Sequence, residues 1–219
     1  MPTSNIQLYS FPTPNGRKVS IALEELELEY DAHRVDILER DQFTPEFIAV
    51  NPNSKIPAIT DPNGPDGKSI HIMESGAILT YLARKTGKLM PSEPRLQSET
   101  EQWLHFQMGG VGPMFGQFGH FYKYAGEKCD HPYPEQRYRN EVRRLLGVLD
   151  TRLEGTDYLV GDQYTIADIA TFPWIGCIEW GYAAWDHIGV NEFKNVVAWH
   201  RRCEEKPASV RGAGVCVTN

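Results

Sequence analysis

The chain has 219 residues, 41% of them hydrophobic and 23% charged, and its 22 basic against 29 acidic side chains give a formal net charge of −7. That length holds one large domain or two small ones with a buried core, and the acidic balance argues against non-specific nucleic-acid binding, which needs a basic surface. No apolar run approaches the ~20 residues of a membrane span, and Met1–Asn5 is not a basic segment leading into an apolar one, so no signal peptide is expected and the default address is cytoplasmic. Cys129, Cys177, Cys203 and Cys216 are scattered with no C-x-x-C pair. They read as reduced packing or surface thiols, with Cys216 the one expected to be exposed. The histidines show no metal-ligand spacing, since a glycine-rich break separates His105 from His120, and no metal is expected.

Ile6-Gln7-Leu8-Tyr9 is a first apolar run. Thr13-Pro14-Asn15-Gly16 follows as a tight loop, and Val19, Ala22, Leu23 and Leu26 then lie on one stripe of a helix. Tyr30 to Ile37 reads as a second strand, and strand, helix and strand together make a right-handed parallel βαβ unit. A polar connection with a helical turn at Pro45-Glu46-Phe47 leads to Ile56-Pro57 before a third strand. A cis bond there would expose the Ile56 backbone to an extended ligand. Asp61 to Gly67 is a turn by composition, Ser69 to Met73 the returning strand, and Glu74-Ser75-Gly76 opens a helix that stops at Gly87. The order β-α-β then β-β-α is that of a thioredoxin-like domain.

Residues 89–94 have linker composition, and every strong signal beyond them is helical. The aromatic-rich stretch Ser98 to Tyr124 is interrupted by Gly109-Gly110 and Gly112-Pro113, so a bent or broken helix is expected. Val142, Leu145, Leu146, Leu149 and Leu153 form a clean helical stripe. Thr165 and Asp168 form a capping box, with Tyr164 and Ile169 placed for a hydrophobic staple, and Pro173 should kink the helix so started. Phe193, Val196, Val197 and His200 mark the last helix, ended by Pro207. The expected division is a thioredoxin-like domain over 1–88, a linker over 89–94 and an all-α helical-bundle domain over 95–219.

In this order and spacing, Glu74-Ser75-Gly76-Ala77-Ile78-Leu79, the proline after Ile56 and the Thr165–Asp168 box make the chain resemble the cytosolic glutathione transferases along nearly its whole length. The loop from Thr13 to Lys18 and the run Gln107 to Met114 are similar to the nu-class and fungal Ure2p-like branch. Its bacterial members act mainly as glutathione-dependent disulfide reductases. The resemblance implies a homodimeric enzyme with glutathione as co-substrate.

It also implies the site. Ser75, at a helix N-terminus, would take the γ-glutamyl carboxylate and Glu74 its ammonium; the alternative is that Ser75 simply caps its helix. Ile56 would bind the cysteinyl backbone, and Lys55 or Gln42 the glycine carboxylate. Thr13 and Asn15 are the expected donors to the glutathione thiolate, their plain alternative being turn and cap chemistry. Tyr9 is a rival activator in some classes, though it lies in the apolar run of the strand, and Ser10 is another. No cysteine lies in the loop, so disulfide reduction would use glutathione itself as nucleophile, with two molecules in one site as one option. Arg137 matches an arginine that reaches glutathione across a dimer interface, against a plain reading as one solvated charge beside Arg139, Arg143 and Arg144. The aromatic side chains from Trp103 to Phe121, with Trp174 and Trp180, line a second-substrate pocket or form helix-packing core. Peroxide reduction is a side activity to expect. The competing activities are conjugation of glutathione to electrophiles and a non-catalytic regulatory role, and the short segment before the first strand weighs against the regulator.

Overall fold

The computed structural model describes residues 5–217; Met1–Ser4, on which most of the signal-peptide expectation rests, lies outside them. Backbone contacts divide the chain into two units. One comprises the residues up to Lys88 together with the segment from Lys206 onward, and the other runs from Leu89 to Glu205.

The first unit begins with β1 (Ile6–Ser10), α1 (Pro14–Glu25) and β2 (Tyr30–Arg34), followed by a 3-10 turn at Asp41–Phe43 and the short α2 (Pro45–Val50). β3 (Ala58–Asp61), β4 (Ile70–Met73) and α3 (Ser75–Thr86) follow. The strands form one mixed sheet in the order β2-β1-β3-β4. β1 and β2 are parallel, with Ile6 opposite Tyr30; β3 runs antiparallel to both β1 and β4, with Ile59 opposite Leu8 and Ile72. This is the thioredoxin-like arrangement. β2 is shorter than its apolar pattern suggested, because Asp36 turns the chain by accepting the Leu38 N–H at 3.0 Å. Val35 still donates to the Ser10 carbonyl at 2.9 Å and joins Phe47 and Ala58 in a small core against which Tyr9, Val50 and Ile56 pack. The Ile56–Pro57 peptide is cis. Asp61, at the end of β3, is buried and bound by the Tyr81 hydroxyl at 2.6 Å and by Lys85 Nζ at 2.8 Å, which fixes α3 to the sheet.

The second unit contains α4 (Pro94–Phe106), α5 (Gly112–Gly119), α6 (Pro132–Arg152), α7 (Ile166–Trp180), α8 (Trp185–Ile188) and α9 (Lys194–Glu204). Its glycine-rich stretch widens rather than breaks the helix: Gln107–Val111 and His120–Tyr124 are π-helical turns on either side of α5. A π-turn absorbs the irregularity while keeping the backbone groups hydrogen-bonded. The α6 stripe of Val142, Leu145, Leu146 and Leu149 is buried. At the start of α7 the capping box is formed, with Thr165 Oγ1 accepting from Ala167 and Asp168 Oδ2 accepting the Thr165 N–H at 2.9 Å. Asp168 Oδ1 also accepts the Leu159 N–H and the Trp199 indole N–H, both at 2.9 Å. The box is therefore the polar centre of the unit as well as a cap. α7 continues through Pro173. Among the described residues no helix is long and apolar enough to cross a membrane.

The C-terminal segment departs from the expected boundary. α9 stops at Glu204, and Pro207 opens a further helix, α10 (Pro207–Ala213), instead of ending the last one. Proline suits a first helical turn, where its missing N–H is not needed. α10 belongs to the first unit. Ser20 Oγ on α1 donates to the Gly212 carbonyl at 2.7 Å, and a Cβ at Gly212 would stand 2.6 Å from Ile21 Cα, so only glycine admits this approach. Arg211 pairs with Glu24 at 2.6 Å and Lys206 with Glu25 at 3.3 Å. Residues 206–217 thus cover α1, and the helical domain expected over 95–219 ends before them. Cys177 and Cys203 are buried, Cys129 and Cys216 half-buried, and all are free.

Candidate functional site

The loop after β1 is built by α1. Thr13 is the N-cap, with extended backbone, and its Oγ1 accepts the Gly16 N–H at 3.1 Å. Accepting there leaves the hydroxyl proton to donate elsewhere, so capping and activation of a ligand sulfur are compatible roles for Thr13. Asn15 is half-buried in the first turn of α1. Gly16 lies against the loop that precedes α1, since a Cβ there would stand 2.1 Å from the Phe11 carbonyl oxygen and 2.6 Å from Ser10 Oγ. Ser10 itself is buried beneath it. Tyr9 is held by packing, with its ring stacked on His33 at 4.9 Å and edge-on to Phe47 at 6.2 Å.

The second part of the site is the start of α3. Glu74 is its N-cap, at φ 69° and ψ 115°, exposed and making no side-chain capping bond. A non-glycine residue at positive φ is held there by its surroundings. Ser75 is the first helical residue, so it is not the cap that its sequence position allowed. Its Oγ, in a residue only 3% exposed, accepts from Lys18 Nζ at 3.3 Å. Lys18 is fully buried, and burial lowers its ammonium from the ordinary 10.5 to about 7 against the raising field of Glu74.

Sequence reading missed Lys18. Its spacing to Ile21 and Ala22 was the available signal, but the apolar stripe was drawn from Val19.

The remaining candidates of this unit lie on loops. Asn51, 1% exposed, organises the turn before Ile56 by accepting the Asn53 N–H at 2.9 Å and donating to the Lys55 carbonyl at 2.6 Å. Ile56 is half-buried and the Lys55 side chain exposed. Gln42 is half-buried, with its Oε1 buried and without a hydrogen bond.

Arg137 is on α6 in the second unit, exposed in a groove of about 530 Å³ lined by Met114, Tyr133, Tyr138 and Arg144. Arg139, Arg143 and Arg144 each have a carboxylate partner, Glu135, Glu192 and Glu141; among the described residues Arg137 makes no ion pair, and Glu141, which lines the same groove, is the carboxylate that feels its charge. The aromatic side chains divide. Trp103, Phe115, Phe118 and Trp174 are core, whereas Tyr122 and Trp180 remain more than a third exposed. Among the described residues no group of His, Cys, Asp and Glu is placed to hold a metal ion.

Two family models match this chain, the glutathione S-transferase N-terminal domain over residues 13–85 and the C-terminal domain over 113–207. The chain belongs to the glutathione S-transferase family. The disulfide-bond oxidoreductase YfcG of Escherichia coli is 44% identical, over 93% of this chain and 92% of that protein. A glutathione transferase of Burkholderia graminis, solved with two glutathione molecules bound per subunit, is 52% identical with a TM-score of 0.95, over 97% of this chain and 90% of that one. One from Pseudomonas putida, solved with one glutathione disulfide bound per subunit, is 49% identical with a TM-score of 0.94, over 97% and 93%. In this glutathione S-transferase the N-terminal match begins at Thr13 and includes Ser75, and the C-terminal match includes Arg137.

Proposed function

We propose that this glutathione S-transferase is a glutathione-dependent disulfide-bond reductase that uses the thiolate of bound glutathione as its nucleophile. The observation that carries the reading is the pairing, within one unit, of two helix N-termini with different donors. Thr13 stands at α1 with a hydroxyl proton to give, and Ser75 at α3 is tied back to α1 by Lys18. Helix N-termini favour anions. In this reading Ser75 and Glu74 hold the γ-glutamyl head, the Ile56 backbone the cysteinyl unit, and Gln42 or Lys55 the glycine carboxylate. The buried Gln42 carbonyl oxygen, without a hydrogen-bond partner, supports a ligand N–H beside it. Thr13 and Asn15 act on the sulfur.

A free thiol near ~8.5 is only a few per cent ionised at neutral pH. Lowering it by about two units takes roughly 2.7 kcal/mol, which one or two hydrogen bonds to a charged acceptor supply at roughly 1.5–3 kcal/mol each. The thiolate attacks one sulfur of the substrate disulfide, forming a mixed disulfide with glutathione and releasing the other half as a thiolate. A second glutathione thiolate attacks the glutathione sulfur of that mixed disulfide, giving glutathione disulfide and the second substrate thiol. Two glutathiones are oxidised for each disulfide reduced, and no cysteine of the chain takes part. The structures of relatives with two glutathiones or one glutathione disulfide bound support this stoichiometry. Arg137, exposed and in no ion pair among the described residues, supports a further anion contact, made across a homodimer, and a cytoplasmic address completes the reading.

The test is turnover of a glutathione mixed disulfide beside an aromatic halide under identical conditions. Reduction of the disulfide is the expected activity, and activity on the halide alone would overturn the assignment.

A further inference from the structure

Among the described residues Lys18 is the largest charged side chain in the interior of the first unit, fully buried on α1, and its Nζ donates to Ser75 Oγ at 3.3 Å. A lysine ammonium so placed is costly unless it serves a partner. The geometry leads us to propose that Lys18 is a positioning residue that couples glutathione recognition to protonation, taking up a proton when the γ-glutamyl carboxylate docks at Ser75. The inference rests on the reading of Ser75 above.

A hydroxyl that accepts from an ammonium turns its own proton away from it, which here means toward the helix N-terminus where the carboxylate docks. A neutral Lys18 amine can accept instead, drawing the Ser75 proton inward and presenting oxygen lone pairs to an anionic ligand. The protonation state of Lys18 therefore sets whether Ser75 is a donor to the substrate. Burial has brought that equilibrium close to neutrality. A docked carboxylate adds negative charge beside the amine, favours the ammonium, and by linkage binds more tightly where the ammonium is populated.

The surrounding charges leave this role to Lys18. Glu74 is the group whose field acts on it. On the elements packed against α1, Arg211 and Lys206 are bound to Glu24 and Glu25 at the far end of the helix. Arg84 and Lys85 occupy the last turn of α3, and Asp61 on β3 is neutralised by Lys85.

The experiment is calorimetric titration of the whole protein with S-methylglutathione, which carries the γ-glutamyl head but has no thiol to titrate. It is run in two buffers of different ionisation enthalpy over a range spanning neutrality. The wild type should take up a fraction of a proton on binding, and its affinity should fall by up to about tenfold per pH unit above the Lys18 titration. Lys18→Met should bind more weakly near neutral pH, with no proton uptake and no fall across this range. Lys18→Arg, permanently charged, should also show no proton uptake. Wild-type proton uptake that persists in Lys18→Met overturns the proposal, and so does its absence in the wild type, a result that needs no variant to fold. Failure of the wild type to bind S-methylglutathione at all would instead overturn the reading of Ser75.

Discussion

Replacing Gly16 by alanine puts a Cβ 2.1 Å from the Phe11 carbonyl oxygen and 2.6 Å from Ser10 Oγ, where real Cβ contacts stay beyond 3.0 Å. Helix propensity alone favours the substitution by about 1 kcal/mol. Overpacking against fixed atoms costs about 1–3 kcal/mol, and the nearer atom is backbone, which cannot rotate aside. The net expectation is a loss of up to about 2 kcal/mol, with the Phe11 carbonyl displaced by about an ångström. That carbonyl accepts the Thr13 N–H at 2.7 Å, so its movement carries with it the Thr13 hydroxyl, the proposed donor to the glutathione sulfur. A misplacement of that size costs on the order of 100-fold in rate. Urea unfolding of Gly16→Ala should show a lower midpoint with unchanged slope, and kcat/KM for a glutathione mixed disulfide should fall about 100-fold. A variant at least as stable as the wild type with unchanged kcat/KM would refute the argument, because the loop would then have room that the structure denies it.

Thr13→Val together with Asn15→Ala should abolish the ultraviolet absorbance of bound glutathione thiolate, whereas Tyr9→Phe, whose ring is packed on His33 and Phe47, should retain it; the reverse pattern would transfer the role to Tyr9. Asp168→Ala strands the Leu159, Thr165 and Trp199 N–H donors in the interior, and equilibrium unfolding should show a loss of about 3–5 kcal/mol; a loss under about 1 kcal/mol would mean that the box is only a surface cap. For Lys18, the unfolded chain binds the extra proton between about 7 and 10.5. The wild type should therefore gain stability relative to Lys18→Met as pH rises through that window, by about 2–3 kcal/mol from about pH 7 to about pH 9. Paired urea melts at the two pH values check the sign, and a constant difference would place the Lys18 titration outside the window.

Several features were legible because they are local. The strand, loop and helix around Thr13, the capping box at Thr165 and the α6 stripe are set by neighbours within a few positions. Ser75 was harder. A serine before an apolar run reads as an N-cap, and only the positive φ of Glu74 moves the cap back by one residue and frees the hydroxyl for another partner. Around α5 the sequence leaves a bent helix and a broken one both open, because glycine and proline announce irregularity without saying whether the hydrogen-bond ladder closes again.

The sequence by itself determined which elements form and which residues could meet an extended anionic peptide, since periodicity, caps and turn chemistry act over one or two helical turns. Tertiary structure alone decided that residues 206–217 return to cover α1, because the contact of Gly212 with Ile21 joins positions almost the whole chain apart. The same burial on more than one side makes Lys18 an interior charge. Its bond to Ser75, 57 residues away, is the contact through which the proposed proton uptake would reach the start of α3.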